Sequence, residues 1–190
     1  MKRWFYGAAE VPLAEEGIRA LEEQAAAGIY PQPEVADYYT SGMDRTEHTF
    51  RIIYGEREHR QIPQLREMNF GEYEMKSYED LKDDPDFITW LKDKSGKIPT
   101  PGGESTLSFA ERVMEGWKEV VANHRLKELS VRHNGKTAES VVVCHGGVIS
   151  AILESLFPGE KEHFFKWVPD PGHGYTLTME DGEITAYEMF

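Results

Sequence analysis

Val141-Val142-Val143-Cys144-His145-Gly146-Gly147 runs three β-branched residues straight into a histidine and two glycines. Consecutive valines favour a pleated, buried strand. The glycines let the chain turn sharply before Val148-Ile149-Ser150-Ala151-Ile152-Leu153 begins a helix. A strand handed directly to a helix is the repeating unit of a parallel α/β sheet, and its carboxyl end faces the crevice where such sheets bind ligands. His145 therefore stands where chemistry would sit. The stretch alone leaves a second reading open, in which His145 caps the following helix or bonds to a nearby loop.

Outward from this strand the same alternation recurs. Leu13 to Ala27 carries good helix formers, with Glu15 and Glu16 in the first turn and Gly28 as a stop. Val35 to Thr40 reads as a short strand ending at Ser41-Gly42. Met43 to Tyr54 follows as a helix, with Phe50 and Ile53 on one face. Ile62 to Glu67 reads as another strand, and Tyr78 to Leu81 and Phe87 to Lys92 as short helices in an acidic insert over 75–100. Ser105 opens the longest helix, which carries Phe109, Val113, Trp117, Val120 and Val121 at helical spacing. Phe164 to Val168, Tyr175 to Met179 and Ile184 to Tyr187 are the last apolar segments. The final two, separated by Glu180-Asp181-Gly182-Glu183, read as a hairpin. The expectation is a single α/β domain over 1–190: three α/β/α layers, a mostly parallel central sheet with helices on both faces, and a carboxyl-terminal antiparallel hairpin.

Composition narrows the class of partner. A chain of 190 residues with 39% hydrophobic and 29% charged residues has the make-up of a soluble globular domain,. Its apolar runs are too short to span a bilayer, and Met1 to Tyr6 lacks a signal-peptide apolar core, so a cytoplasmic location is expected. One cysteine forbids an internal disulfide, and no cluster of cysteine or histidine suggests a metal site,. Thirty-four acidic against 21 basic residues give a net charge of −13, which disfavours nucleic acid and anionic membranes as partners,.

The chemistry has to be assembled from residues distant in sequence. In a parallel sheet the carboxyl ends of the strands share one rim, so Ser41-Gly42-Met43-Asp44-Arg45 and His145-Gly146-Gly147 can meet. An arginine in the first turn of a helix opposes the helix dipole unless an anion binds there. Arg45 could clamp two phosphate oxygens with its planar fork; the competing reading pairs it on the surface with Asp44 or Glu47. Glu67, entering an aromatic and glycine-containing turn, could be desolvated enough to serve as a general acid. Its spacing does not separate it from Glu72, Glu74 and Glu79. Cys144, next to His145 on a strand, should point to the opposite face as a small core residue. Arg132-His133-Asn134-Gly135, in a polar stretch without a preceding strand, reads as a surface turn.

Four ordered segments carry a family resemblance: Ser41 to Thr49; Leu65 to Glu74 with Tyr78-Glu79-Asp80; Pro101-Gly102-Gly103-Glu104-Ser105; and Val143 to Gly147. Together they resemble the histidine phosphatase superfamily, in particular the phosphoglycerate mutase-like branch and its small alpha-ribazole phosphatase-type members. Tyr6 to Gly17 is similar to the segment that follows that family's first catalytic loop. The resemblance implies a phosphomonoester hydrolase in which a histidine attacks phosphorus and water later releases phosphate from a phosphohistidine. It implies that Arg45 clamps phosphate, that His145 is the second catalytic histidine, and that Glu67 protonates the leaving alcohol. Tyr6, Gly7 and Gly146 would contact substrate. No metal or cofactor is implied, and the expected ligand is a small phosphorylated metabolite or inorganic phosphate.

The departure lies at the amino terminus. Family members begin with a strand running into Arg-His-Gly, whose histidine is the nucleophile, and no such strand precedes Tyr6 here. The expectation is that the residues given start inside a longer natural protein, because Arg45, Glu67 and His145 all survive in place. The alternatives are a partner chain or rearranged terminus filling the gap, or a divergent member that binds phosphate without turnover. A phosphoglycerate mutase is a weaker alternative, since Glu67-Met68-Asn69-Phe70 is similar to the phosphatase branch. An unfilled strand slot would favour association as a homodimer through β-pairing. The 75–100 insert and the loop Pro169-Asp170-Pro171-Gly172-His173-Gly174 are expected to cover the pocket, with His173 reaching substrate.

Overall fold

The computed structural model describes residues 4–190; Met1 to Arg3 of the stretch read for a signal peptide lie outside them. In chain order the elements are β1 (Trp4–Phe5), α1 (Glu15–Ala26), β2 (Ala36–Thr40), α2 (Asp44–Tyr54), β3 (Arg60–Gln61), β4 (Lys76–Ser77), α3 (Tyr78–Leu81), α4 (Pro85–Lys92), α5 (Thr106–Val131), β5 (Glu139–Val143), α6 (Gly146–Leu156), β6 (Tyr175–Glu180) and β7 (Glu183–Met189).

The central sheet is parallel, in the order β3-β2-β5. Side chains alternate across a strand, and β2 uses this to build two cores from adjacent tyrosines. Tyr38 faces α2 and packs with Phe50, Tyr54, Val141 and Val143. Tyr39 faces the other way, into a larger cluster with Phe109, Val113 and Val120 of α5, Val148, Ala151 and Ile152 of α6, and Val142 and Cys144. The three α/β/α layers follow from this split. Tyr39 and Phe50 are essentially inaccessible, and burying each such side chain is worth about 2–3 kcal/mol. The long helix starts where expected: Ser105 and Ser108 form a reciprocal capping box, each hydroxyl accepting the other's backbone N–H, at 3.1 and 3.0 Å,.

One expected strand is absent. Ile62 to Glu67 contributes no strand: the ladder ends at Gln61, and Pro63–Leu65 form a 3-10 turn. Pro63 has no N–H to give a ladder and its fixed φ suits the first residue of a helical turn. The apolar segment Phe164–Trp167 forms another 3-10 turn, with Trp167 fully buried and its indole N–H donating to Glu154 Oε2 at 2.8 Å. Arg132–Asn134 is an exposed turn at the end of α5.

Two antiparallel pairs flank the central sheet. β6 and β7 form the carboxyl-terminal hairpin, whose turn places Asp181 and Gly182 at φ 51° and 83°. Positive φ at both central turn positions matches the right-handed twist of the strands. β1 pairs with β4, Trp4 opposite Ser77 and Phe5 opposite Lys76. This turns Phe5 into an aromatic cluster with Phe70, Phe87 and Trp90, which fastens the 75–100 insert to the body. Among the described residues, β5 has β2 as its one strand neighbour, and the hairpin is a separate two-stranded sheet.

Gly116 lets α5 lie close against the Pro63–Leu65 turn: an added Cβ would sit 2.8 Å from Gln64 Cβ and 3.1 Å from Ile62 Cγ2 and Leu65 Cδ2. Helix propensity favours alanine over glycine by about 1 kcal/mol, whereas overpacking a close contact costs about 1–3 kcal/mol. Gly116→Ala should therefore lower stability in urea unfolding; an increase would show that the turn yields freely.

Candidate active site

The parallel register sets the site. Thr40 is opposite Val143, so the next residues, Ser41 and the pair Cys144-His145, leave the sheet side by side. Alternation sends His145 to the same face as Val141 and Val143, the face covered by α2, and sends Cys144 into the opposite core,. Burial pushes the Cys144 thiol up to about 12, so it stays protonated at neutral pH and is no nucleophile,.

His145 occupies the N-cap position of α6 but makes no side-chain cap bond. The helix-cap reading is thereby replaced. Its Nε2 lies 2.8 Å from Ser41 Oγ, and its Nδ1 accepts from Arg45 Nε at 3.3 Å. With Nδ1 accepting, the ring proton belongs on Nε2, where it begins a chain of donors. His145 donates to Ser41, Ser41 to Thr46 Oγ1 at 3.0 Å, and Thr46 to the Met43 carbonyl at 2.8 Å. Ser41 and Thr46 are buried. Both lie in the recognised Ser41 to Thr49 segment, yet nothing in a hydroxyl residue's spacing announces such a role. Burial, then the neighbouring Arg45, Arg112 and Arg66 guanidiniums, lower the His145 pKa to about 3. The imidazole is neutral at pH 7.

Arg45 stands in the first turn of α2 and pairs with neither Asp44 nor Glu47. Glu47 is taken by Thr40, His59 and Gln61. Besides His145, the guanidinium donates to the Ala9 carbonyl at 3.0 Å and the Gly7 carbonyl at 2.6 Å. Burial draws its pKa below the usual arginine value, while Glu67, Glu10, Tyr6 and Glu74 pull it back up. It keeps its charge, as arginine does in proteins.

Glu67 closes the group. Its carboxylate accepts from Met68 N at 2.9 Å and from Gly147 N, at the positive end of α6, at 3.0 Å,. Those bonds and the Arg45 and Arg112 charges lower its pKa, but desolvation outweighs them and the net shift is upward. Gly147 is needed for this contact, since a Cβ there would lie 2.4 Å from Glu67 Oε1. The loop carrying Glu67 is held from behind by Arg112 of α5. Arg112 pairs in bidentate fashion with Glu104 at 2.7 and 2.8 Å and donates to the Gln64, Arg66 and Glu67 carbonyls. Burial alone would raise Glu104; the Arg112 fork and the Asn69 N–H hold it below the ordinary carboxylate range. Arg112 carries no sequence signal, being one charge among many on a long helix.

The structure thus brings Arg45, His145 and Glu67 together with Gly7 and Gly147. Tyr6 is half-exposed beside Gly7 and lies within electrostatic range of Arg45. Gly146 opens α6 against Val168. None of the hydrogen bonds of His173 reaches this group: its ring bonds the Gln24 side chain at 3.2 Å and the Phe190 carbonyl at 2.8 Å. It joins α1 to the end of the hairpin.

A parallel α/β sheet presenting a guanidinium, a neutral imidazole and a desolvated carboxyl at one strand rim has the layout of a phosphoglycerate mutase-like protein. Residues 1–189 match the family model "Histidine phosphatase superfamily (branch 1)", and the chain belongs to that superfamily. It is 32% identical over 136 residues to an adenosylcobalamin/alpha-ribazole phosphatase of Escherichia coli K12, a match covering 70% of this chain and 61% of that protein's length. A 2,3-bisphosphoglycerate-dependent phosphoglycerate mutase of Bradyrhizobium diazoefficiens is 27% identical over 168 residues, covering 83% and 76% of the two chains. The crystal structure of the alpha-ribazole phosphatase from Shigella flexneri shares the fold, with a TM-score of 0.71 at 23% identity over 96% of this chain and 85% of that one. Among the described residues, no helix is long and apolar enough to cross a membrane.

The pKa of His145 has a consequence for stability. Folded His145 titrates near 3 against the ordinary 6.5, so between those values the unfolded chain binds more protons, and stability falls as pH drops through that window,. From pH 7 to pH 5 this group alone should cost about 2 kcal/mol. Glu67, shifted upward, works in the opposite direction and loses stability as pH rises. His145→Gln should flatten the pH 5–7 slope in urea unfolding; an unchanged slope would mean that His145 titrates normally.

Proposed function

We propose that this chain carries the phosphate-handling site of a phosphomonoester hydrolase acting on a small phosphorylated metabolite. The observation that supports it most directly is the Arg45–His145 contact, with the desolvated Glu67 carboxyl bonded to the neighbouring Gly147. The Arg45 guanidinium can neutralise charge on the equatorial phosphoryl oxygens, held in place by its bond to the neutral His145 ring,. A carboxylic acid with a raised pKa can protonate the leaving alcohol. In the reaction implied by the family, a nitrogen of a nucleophilic histidine bonds to phosphorus as the phosphorus–alcohol bond breaks, and the proton of Glu67 goes to the departing oxygen. Water then attacks the phosphohistidine, the nitrogen–phosphorus bond breaks, and phosphate leaves. Glu67, now a carboxylate, takes the water's proton.

The nucleophile in this reading is a second histidine supplied from outside the described residues. Among the described residues β5 has one strand neighbour and β6–β7 form a separate sheet, which supports room for one more strand. The second reading is a site that binds phosphate without turning it over. It is favoured by one fact: among the described residues, no other histidine bonds Arg45, Glu67 or His145. Alpha-ribazole phosphate and bisphosphoglycerate, named for the relatives, are the first esters to try. Self-association through the open edge of β5 belongs to the same proposal and is read by ultracentrifugation with and without the preceding segment.

Calorimetry with inorganic phosphate on this chain should show binding that Arg45→Gln weakens at least tenfold. Heat-silent, well-folded protein would sink the pocket. A form carrying the sequence encoded ahead of Met1 should release phosphate from p-nitrophenyl phosphate, and His145→Ala should lower kcat/KM by about 10²–10³. Glu67→Gln should slow alkyl esters far more than p-nitrophenyl phosphate, whose good leaving group needs little protonation. Equal losses on both would remove Glu67 from the role of acid, and an upstream sequence without Arg-His-Gly would leave only the binding reading.

A further inference from the structure

The carboxylate of Glu74 gathers four backbone N–H groups from two segments. It accepts from Gly7 at 2.9 Å, Ala8 at 3.0 Å and Ala9 at 3.3 Å, and from Phe70 at 2.9 Å. Three successive amides converging on one anion form a nest, a concavity suited to a negative group,. The other side of the same strap holds Arg45, because the Gly7 and Ala9 carbonyls accept from its two terminal nitrogens. Gly7 to Ala9 therefore lies between two charges, Glu74 on its N–H side and Arg45 on its C=O side.

The surroundings are built to keep Glu74 aimed at the strap. Gly7 passes so near the Met68 carbonyl that a Cβ would fall 1.6 Å from its oxygen. The next residue, Met75, adopts φ 61°, a left-handed conformation that side chains rarely take, and its N–H donates to the Phe5 carbonyl at 2.7 Å,. Strain is thus retained in order to bring residues 74 and 75 against residues 5 to 9. None of these bonds touches His145 or Glu67 directly.

We propose that Glu74 is a positioning residue for the phosphate clamp: by anchoring the Gly7–Ala9 strap it sets the direction in which Arg45 presents its guanidinium to His145 and to a bound anion. This rests on reading the Arg45–His145–Glu67 group as a phosphate pocket. Glu74→Ala should release the strap, and Glu74→Gln, which keeps one oxygen as an acceptor, should do so partially.

The test is NMR on the chain as it stands, followed by phosphate titration. In Glu74→Ala the Gly7 to Ala9 amides should exchange with solvent at least tenfold faster, and the Arg45 Nε–H and His145 ring resonances should shift. Phosphate affinity should drop roughly tenfold, the loss expected when a clamp is misplaced rather than removed. Glu74→Gln should fall between, and it carries the test if Glu74→Ala does not fold. Glu72→Ala, at an exposed neighbour, should leave all three readouts unchanged. Unmoved Arg45 and His145 resonances in a folded Glu74 variant would overturn the proposal whether or not phosphate binds. Absence of phosphate binding in the wild-type chain, with those resonances still shifting in the variant, would count against the pocket and leave the strap standing.

Discussion

The parallel pairing of β2 with β5, five residues in register from Ala36–Glu139 to Thr40–Val143, is the constraint on which the rest of the molecule depends. It brings two strand ends level, so that Ser41 and His145 meet at 2.8 Å although 104 positions separate them. It also sets which side chains face which layer. A slip of one residue would turn Tyr38 toward α5 and Tyr39 toward α2, exchanging the two cores and moving His145 away from Arg45,. The register is held by cores on both faces, which gives the site a rigid rim.

At that rim, burial acts on three ionisable groups in different ways. It keeps His145 neutral, it leaves Arg45 charged because no accessible pH removes the proton of arginine, and it raises Glu67 toward the protonated form,. A single low-dielectric pocket thereby holds a fixed cation, a neutral imidazole and a carboxyl shifted toward its protonated form. The supporting groups are themselves arranged by charge. Arg112 ties the Glu67 loop to Glu104, and Glu74 ties the amino-terminal strap to the Phe70 turn. Each of these carboxylates accepts from groups in more than one segment, which adds charge-assisted bonds to loops already packed by Leu65, Met68 and Phe70,.

Much of this was legible in local sequence. The Val141 to Val143 strand, the helices opened by Glu15 and Ser105, and the Asp181-Gly182 turn each rest on short-range physics: β-branching, capping and positive φ. Arg45 was legible because a cation at a helix amino terminus opposes the dipole and so calls for an explanation. The failures are equally physical. Ile62 to Glu67 has the apolar content of a strand, but Pro63 removes a ladder donor and turns the chain. Phe164 to Val168, apolar but unassigned from sequence, is a helical turn whose Trp167 is buried beneath the hairpin, edge-on to Tyr187 at 5.3 Å. His173, flanked by glycines, looked free to reach a ligand and is instead bonded between Gln24 and Phe190.

By itself the sequence determined the α/β alternation, the family, and Arg45, Glu67 and His145 as the residues to watch, because periodicity, turn chemistry and ordered motifs are written in neighbouring residues. The tertiary structure decided which nitrogen of His145 faces Ser41 and which faces Arg45. It selected Glu67 from a run of acidic residues through desolvation and the Gly147 N–H, and it gave roles to Ser41, Thr46, Arg112, Glu104 and Glu74. Those assignments depend on distances between segments far apart in the chain and on how much water reaches them. Neither is set by local spacing; both follow once β2 and β5 lie side by side.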